Sequence, residues 1–438
     1  MTALLDVPFL TDLDSRAAVK GSRDPLGIQS IWTRFGRNVV GNLTTVSNSV
    51  RDFTTTLLGY WFAERVAGER GPGSELATFL KWEQLAAYAR AGVNGDYEFR
   101  GTERVRRNLS EGTRVMLSDM PAHQILSNQK TYGLWGLYTV PARVSSLLEG
   151  DPSRLTPSAR VFVERHCLPV LAAGGGRDAR RICEFLSRTS VRVDLDGADA
   201  EMVGAVAKAL RSRLSAEERQ FYTYHLLQGG PQDTTAGRQR QLAELLRDSL
   251  EDPAFAWSPA AVGHLAKAAT RRGSDWETLA YHLSRIRTCE SVLAPVSAVF
   301  IYLLGFDGRA PDFVSRRLKD AWGKGLRTVD AAAFAELKGE IGANDGPAGE
   351  RWGGIATALA DGDYGRLIEL LLAQNADVMS QRGGAPWIER RAGRLYVRFR
   401  DEQGALPDRT DLPRLWRFSY FLDSLYSVAA QLEQSGHG

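Results

Sequence analysis

The chain is punctuated by helix-start signals that leave little room for sheet. Thr156-Pro157 and Ser258-Pro259 each set a capping hydroxyl before a proline, whose fixed φ and missing N–H suit the first helical position. Ser215 with Glu218 makes the reciprocal capping-box pattern. Glycine- and proline-rich stops follow at Gly174 to Gly176, Gly229 to Pro231 and Gly305 to Pro311. The expected class is mainly α: an irregular multi-helix array with a small C-terminal β-hairpin packed on a final helix. No repeat of fixed period occurs, so helix stacking is open but a regular solenoid is not indicated.

At 438 residues the chain exceeds a single core. Its 43% hydrophobic and 24% charged residues, with 10 Trp, 13 Tyr and 17 Phe, exclude wholesale disorder. Composition divides it into an N-terminal helical domain (1–150), a central helical domain (151–380) and a C-terminal hairpin plus helix (381–438), the last opened by the linker Gln381 to Pro386. From Asn42, read as an N-cap, Leu43, Val46, Val50, Phe53 and Leu57 form one helical stripe. The face between them is rich in Thr and Ser, which weakens intrinsic helix preference and leaves packing to hold the segment. Further helices are expected over Glu75 to Ala91, Gly101 to about Gly112, and Met120 to Leu147, the last broken or kinked at Pro141. Val191 to Leu195 alternates like a strand but has no obvious partner. In the C-terminal part, 387–391 and 394–400 flank Ala392-Gly393 as a hairpin, with Trp387 opposite Arg398 and Glu389 opposite Tyr396. Leu395, Val397 and Phe399 share its inner face, and a closing helix runs from Leu412 or Pro413 to about Gln434.

Charge and cysteine narrow the class further. Lys+Arg 55 against Asp+Glu 52 leaves +3, which argues against a binder driven by overwhelming positive charge. Cys167, Cys183 and Cys289 show no paired-thiolate spacing, so a disulfide framework or thiolate zinc site is not indicated. The N-terminus lacks the pattern of a secretory signal, and Val292 to Leu304, interrupted by Pro295, is too short to cross a bilayer and reads as a buried helix. A cytoplasmic protein without membrane contact is the expectation.

Chemical motifs are sparse. The sequence has no Gly-Lys-Ser/Thr phosphate loop, Gly-x-Ser-x-Gly elbow, His-Glu-x-x-His pair or deaminase zinc pattern. Gly174 to Arg177 suits a helix stop better than an anion site. The histidines are scattered, and His166 and Cys167, adjacent on a helix, point about 100° apart. Asp194 with Asp196 and Asp361 with Asp363 fit turn chemistry, although a metal-dependent nuclease assembled from distant acids stays open. No catalytic set, metal site or cofactor is therefore assigned. The stronger candidates are basic: Arg34 and Arg37, then Arg104, Arg106 and Arg107, then Arg394, Tyr396, Arg398 and Arg400 on the hairpin, where arginines clamp phosphates and an aromatic ring stacks on a base. A solvated strand face with cross-strand pairs to Glu389 and Asp401 accounts for the same letters. Thr44, Thr45, Asn48, Arg51 and Trp387 are candidates for contact with a protein partner.

Two blocks carry a family resemblance. Asp24-Pro25-Leu26-Gly27-Ile28 with the Thr/Ser-rich segment after it resembles the opening, and Pro386-Trp387, the strand Leu395 to Phe399 and the segment containing Trp416 resemble the close, of an uncharacterised bacterial family. That family carries a domain-of-unknown-function label and is associated with anti-phage defence islands, beside genes for helicases and phospholipase-D-like nucleases. The resemblance covers about a third of the chain. It implies a non-catalytic accessory or scaffold subunit of a multi-protein defence system, holding a helicase or nuclease partner, with nucleic acid as a further contact. Direct DNA or RNA binding through the arginine patches is the alternative, and an enzyme with a site invisible in sequence is the third.

Overall fold

The computed structural model describes residues 24–71, 73–172, 178–342, 346–400 and 404–434. In chain order its principal elements are α1 (Ile28–Arg37), α2 (Val50–Arg70), α3 (Glu75–Asn94), α4 (Thr102–Glu111), β1 (Arg114–Ser118), α5 (Leu134–Val144), β2 (Ser190–Asp194), α6 (Arg238–Leu250), α7 (Pro259–Arg271), α8 (Glu277–Leu303), α9 (Gly346–Asp361), α10 (Tyr364–Gln381), β3 (Ile388–Arg391), β4 (Arg394–Val397) and α11 (Leu422–Gln434). The mainly helical class is as expected, and strands occur only as small antiparallel pairs. Composition suggested consecutive segments. Backbone contacts instead gather the chain into two units, each made of two stretches: 1–36 with 254–420, and 37–253 with 421–438. Gly174 to Arg177 and Asp401 lie outside the described residues.

In the unit of 37–253 and 421–438, α2 packs along α3. Packing offsets its low intrinsic helicity and its hydroxyls are satisfied internally. The hydroxyls of Thr55 and Thr56 donate back to the carbonyls of Arg51 (2.9 Å) and Asp52 (2.7 Å), and the helix is buried almost all round. Gly59 admits α3 closely: a Cβ there would fall 2.6 Å from the Phe79 ring. Tyr60, Phe79 and Trp135 form one aromatic cluster and Phe62 meets Trp82, whose indole N–H donates to the Thr55 carbonyl at 2.8 Å.

The helix does not begin at Asn42. Ser49 is its N-cap, accepting from the Asp52 N–H at 3.2 Å. The Asn42 side chain is buried instead between the His225 carbonyl (2.8 Å) and Gln239 Nε2 (2.7 Å). Thr44 and Ser47 close a turn through Thr44 N–H to Ser47 Oγ at 2.6 Å, the local side-chain bonding that competes with helix. The expected Met120 to Leu147 helix is also divided. A short turn of helix spans Gln129–Tyr132, and α5 restarts beyond Gly133, which lies so close to Glu83 that a Cβ would meet its carboxylate at 2.7 Å. Pro141 sits inside α5 rather than ending it. The strand at 190–194 does have a partner, β1, with Val115 opposite Val193 and Leu117 opposite Val191. The caps at Thr156, Ser215 and Ser258 are all made, the middle one with both halves of its capping box.

In the unit of 1–36 and 254–420, α7 packs along α8 and α9 packs on α10. By length and composition Ser274–Leu303 is apolar enough to cross a membrane, yet 67% of its most apolar window is buried in the fold; Val292, Leu293 and Val296 are wholly buried, so the expected buried helix holds. Asp24 caps α1 by accepting from the Ile28 and Gln29 N–H groups, both at 2.9 Å. The two blocks that carry the family resemblance meet at Asn375 on α10. Its amide donates to the Pro25 carbonyl and its oxygen accepts from the Trp387 N–H, each at 2.8 Å.

The hairpin packs on α10 with Glu389 opposite Tyr396, the expected register. Ala392 and Gly393 both have positive φ, 45° and 77°, the tight turn that matches strand twist. Its outer edge is paired rather than open: Leu395 N–H donates to the Arg309 carbonyl and Gly308 N–H to the Leu395 carbonyl, both at 2.8 Å. Leu395 and Val397 are buried as expected, but Phe399 is exposed. The closing helix starts at Leu422. Before it come one tight turn at Leu412–Arg414 and a non-helical stretch that contains Trp416, because the Arg417 and Phe418 N–H groups bond to Glu290 and Tyr420 and Phe421 have positive φ.

Candidate functional site

The hairpin arginines are mostly engaged by the chain itself. The Arg398 side chain is 4% exposed, donating to Glu389 and to the Pro386 carbonyl, each at 2.9 Å. Glu389 also pairs with Arg391, and these contacts hold its carboxyl below the usual range against the opposing effect of partial burial. Tyr396 lies beneath Arg391 and Arg398, at 4.2 and 5.2 Å from its ring centre. Arg394 donates to the Gly308 carbonyl at 2.9 Å and Arg400 pairs with Asp307. Trp387 packs on Phe399 with ring centres 4.5 Å apart. Of the cross-strand pairs that stood as the alternative to phosphate contact, Arg398 with Glu389 is made, while Arg394 and Arg400 end on the Asp307–Gly308 loop instead. Arg398→Ala is accordingly expected to lower stability by about 2–3 kcal/mol, the worth of charge-assisted bonds lost from a buried position, and Arg394→Ala by under about 1 kcal/mol. Urea unfolding of both variants, with equal losses, would show that Arg398 is no more structural than its neighbour.

Elsewhere the pattern repeats. Arg34 donates to the Glu340 carbonyl. Arg37 donates to the Gly41 and Leu43 carbonyls at 2.8 and 2.6 Å and lies 3.7 Å over the Phe421 ring. Arg51 is buried and paired with Glu218 at 2.5 Å, so it faces no partner directly. Arg104 donates to the Gln124 carbonyl at 2.5 Å. Arg106 lies 4.3 Å from the Tyr97 ring centre and is exposed, as is Arg107. Thr45 and Asn48 are exposed and Thr44 is half-buried in its turn.

One cleft includes a single member of this set, Asn48. It measures about 450 Å³ and is lined by the pre-helix loop (Asn48, Ser49), the first turn of α2 (Asp52), the loop between α3 and α4 (Tyr97 to Arg100) and α11 (Ser427, Gln431). Gln431 ties α11 to the loop, accepting from Val50 N–H at 2.9 Å and donating to the Asn48 carbonyl at 2.7 Å. Beneath lies a buried ionic knot. Arg90 pairs with Asp52 and with Asp96, both at 2.7 Å, and donates to the Glu98 carbonyl at 3.0 Å, fixing the loop that presents Tyr97 and Arg100. Burial pushes the Asp52 carboxyl up against the pull of Arg90. Burial also works against the Arg90 charge, but Asp52 and Asp96 outweigh it and hold the guanidinium charged.

Phe99 and Arg100 separate the cleft from a narrow internal space reached by Asp52 and Glu83. Glu83 accepts from the Leu134 N–H, the free end of α5, and from Gln129 Nε2, both at 2.8 Å. Burial lifts it to about 7, with the two hydrogen bonds pulling back and Asp52 adding to the rise. Arg100 has no hydrogen-bond or ion-pair partner among the described residues, and Asn48 and Ser427 likewise leave their side-chain groups free. The Asp52 and Glu83 carboxylates are thus taken up by the chain's own donors, while the rim offers a guanidinium, an amide, a hydroxyl, an aromatic ring and the exposed carboxylate of Glu98.

Other chemistry is less well placed. A pocket of about 380 Å³ between α2 and the Pro152–Arg154 turn is walled by Tyr60 and Trp135, but its Glu64 is already engaged by Arg160 at 2.5 Å and Leu155 N–H at 3.0 Å. Burial pushes Cys167 up to about 12 and Cys183 to about 11, away from thiolate reactivity. Among the described residues no three or more His, Cys, Asp or Glu side chains gather as a metal would require.

Sequence reasoning named Asn48 at this site and missed Asp52, Glu83, Arg90, Asp96 and Tyr97. The available signal was in α3, where Lys81, Glu83, Gln84 and Arg90 interrupt the apolar middle of the helix. Comparison of the chain with family models, with curated proteins and with solved structures finds no match.

Proposed function

We propose that this chain is a non-catalytic binding subunit that takes hold of an acidic segment of a partner protein at the Asn48–Arg100 cleft. One observation carries the reading: Arg100 stands unpaired at the mouth, beside Tyr97 and Asn48, on a loop that Arg90 holds rigid from below. A preorganised guanidinium with polar neighbours and satisfied groups beneath suits the capture of a carboxylate. The family resemblance supplies the context, a cytoplasmic assembly of a bacterial anti-phage defence system in which a helicase or nuclease does the chemistry.

Arg100→Glu is expected to weaken capture of a helicase or nuclease partner from the native host at least about tenfold, the worth of a charge-assisted contact reversed to repulsion. At pH 5, where Glu83 is neutral, its unfolding curve should stay near that of the native chain, since Arg100 holds no hydrogen bond or ion pair. Undiminished capture by a folded Arg100→Glu variant would overturn the assignment.

A second reading, direct contact with DNA or RNA, has its own support in Arg106 stacked on Tyr97 next to exposed Arg107. If it holds, Arg106→Ala with Arg107→Ala lowers affinity for a single-stranded oligonucleotide and flattens its dependence on salt.

A further inference from the structure

The stretch from Leu415 to Phe421 is built against its own preferences. Tyr420 and Phe421 have φ of 46° and 63°, a left-handed pair of aromatic residues in which each Cβ crowds a carbonyl. The Tyr420 backbone also presses on Gly36, where a Cβ would come within 2.6 Å of the Tyr420 carbonyl oxygen. Polar groups are left over: Trp416 Nε1, Ser419 Oγ, Tyr420 Oη and Glu290 Oε2 are buried without a hydrogen-bond partner among the described residues. Such a cluster is costly unless something holds it.

The holding group is Glu290 of α8, which is wholly buried and whose Oε1 accepts from the N–H of Arg417 and, at 3.3 Å, of Phe418. We propose that Glu290 and this stretch form a proton-controlled clasp, closed when the carboxyl is neutral and loosened when it ionises. A neutral Glu290 keeps its carbonyl oxygen on the two N–H groups and turns an O–H toward Tyr420. An ionised one can still accept from those N–H groups and from the Tyr420 hydroxyl, but it leaves a charge on a wholly buried carboxyl, and that desolvation cost is what loosens the clasp. The groups that face it are few. Arg417 is the nearby cation; Tyr420 and Cys289 are both pushed well above their ordinary ranges by burial and stay neutral; Arg285 is engaged by Glu340.

The transition falls near neutrality because burial lifts Glu290 to about 7 despite the N–H bonds, the nearby Tyr420 hydroxyl and Arg417. With its value raised above the ordinary 4.5, the contribution to closure is complete below about 4.5 and is lost as pH rises through about 7.

Hydrogen exchange of the 415–421 amides, corrected for intrinsic chemical exchange, tests this. Protection should fall roughly tenfold for each step of one in pH on the approach to 7 and then level off. In Glu290→Gln, whose amide oxygen still accepts both N–H groups, the profile should be flat. Arg417→Gln, which removes the cation favouring ionisation, should move the midpoint upward and keeps the test open if Glu290→Gln does not fold. Flat protection in the native chain, an unchanged slope in Glu290→Gln, or an unmoved midpoint in Arg417→Gln would each overturn the clasp.

Discussion

Arg90→Met is expected to destabilise the unit of 37–253 and 421–438 by about 3–5 kcal/mol, the cost of leaving a buried charge without its partner. For a unit of this size that lowers the melting temperature by roughly 10 °C. Three contacts go at once: Asp52 loses its cation, Asp96 loses its second anchor, and the Glu98 carbonyl is released. The size of the loss follows from burial, since the Arg90 and Asp52 side chains are only 4% and 6% exposed. Replacing both charges restores part of it, because a neutral pair carries no desolvation cost. Asp52→Asn with Arg90→Met should therefore be more stable than Arg90→Met alone, and a double-mutant cycle in urea reads the coupling directly. Simple addition of the two single effects would mean that the pair acts as two separate surface charges. The same variant tests how the cleft is built. If Arg90 is what holds the 96–100 loop, partner capture falls in Arg90→Met although Arg90 touches no partner.

What the sequence makes legible here is what is settled within a few residues. The caps at Thr156, Ser215 and Ser258 are local bonds between a hydroxyl and an N–H three residues on, and all three form. The hairpin register likewise follows from a turn that Ala392 and Gly393 specify on their own. Asn42 shows the opposite case. Its letter suits an N-cap, but its side chain is claimed by the His225 carbonyl and by Gln239, 183 and 197 residues away. The strand at 190–194 had no visible partner because β1, 80 residues earlier at the Arg114–Asp194 pair, sits between a helix and a turn and carries only Val115, Met116 and Leu117 as apolar signal. The arginines were visible and their acceptors were not: backbone carbonyls carry no letter, and Arg34, Arg37 and Arg104 all end on them. The cleft was hidden for the same reason. Its floor joins Asp52 of α2 to Arg90 of α3, and only the packing of those helices makes the pair a unit.

Glu83 provides the second large effect, with a sign that separates the competing explanations. Its carboxyl is lifted to about 7 from an ordinary 4.5, so the folded chain binds a proton more tightly than the unfolded one. The resulting stability is complete below about 4.5 and disappears as pH rises through about 7. The swing is about 3 kcal/mol, since each tenfold gain in proton affinity is worth about 1.36 kcal/mol. Glu83→Gln keeps an acceptor for one donor without ever ionising. It is expected to match the native chain near pH 5 and to exceed it at pH 8 by on the order of 2–3 kcal/mol. Glu83→Ala abandons both the Leu134 N–H and Gln129 Nε2 and should lose about 3–5 kcal/mol at pH 5, where the native carboxyl is neutral. Asp52→Asn sharpens the point. Removing that neighbouring negative charge eases ionisation of Glu83 and should carry the midpoint of the stability profile to lower pH. If Glu83→Gln follows the native chain in parallel from pH 5 to 8, Glu83 is already ionised throughout, and the buried pair beneath the cleft holds two charges where one is expected.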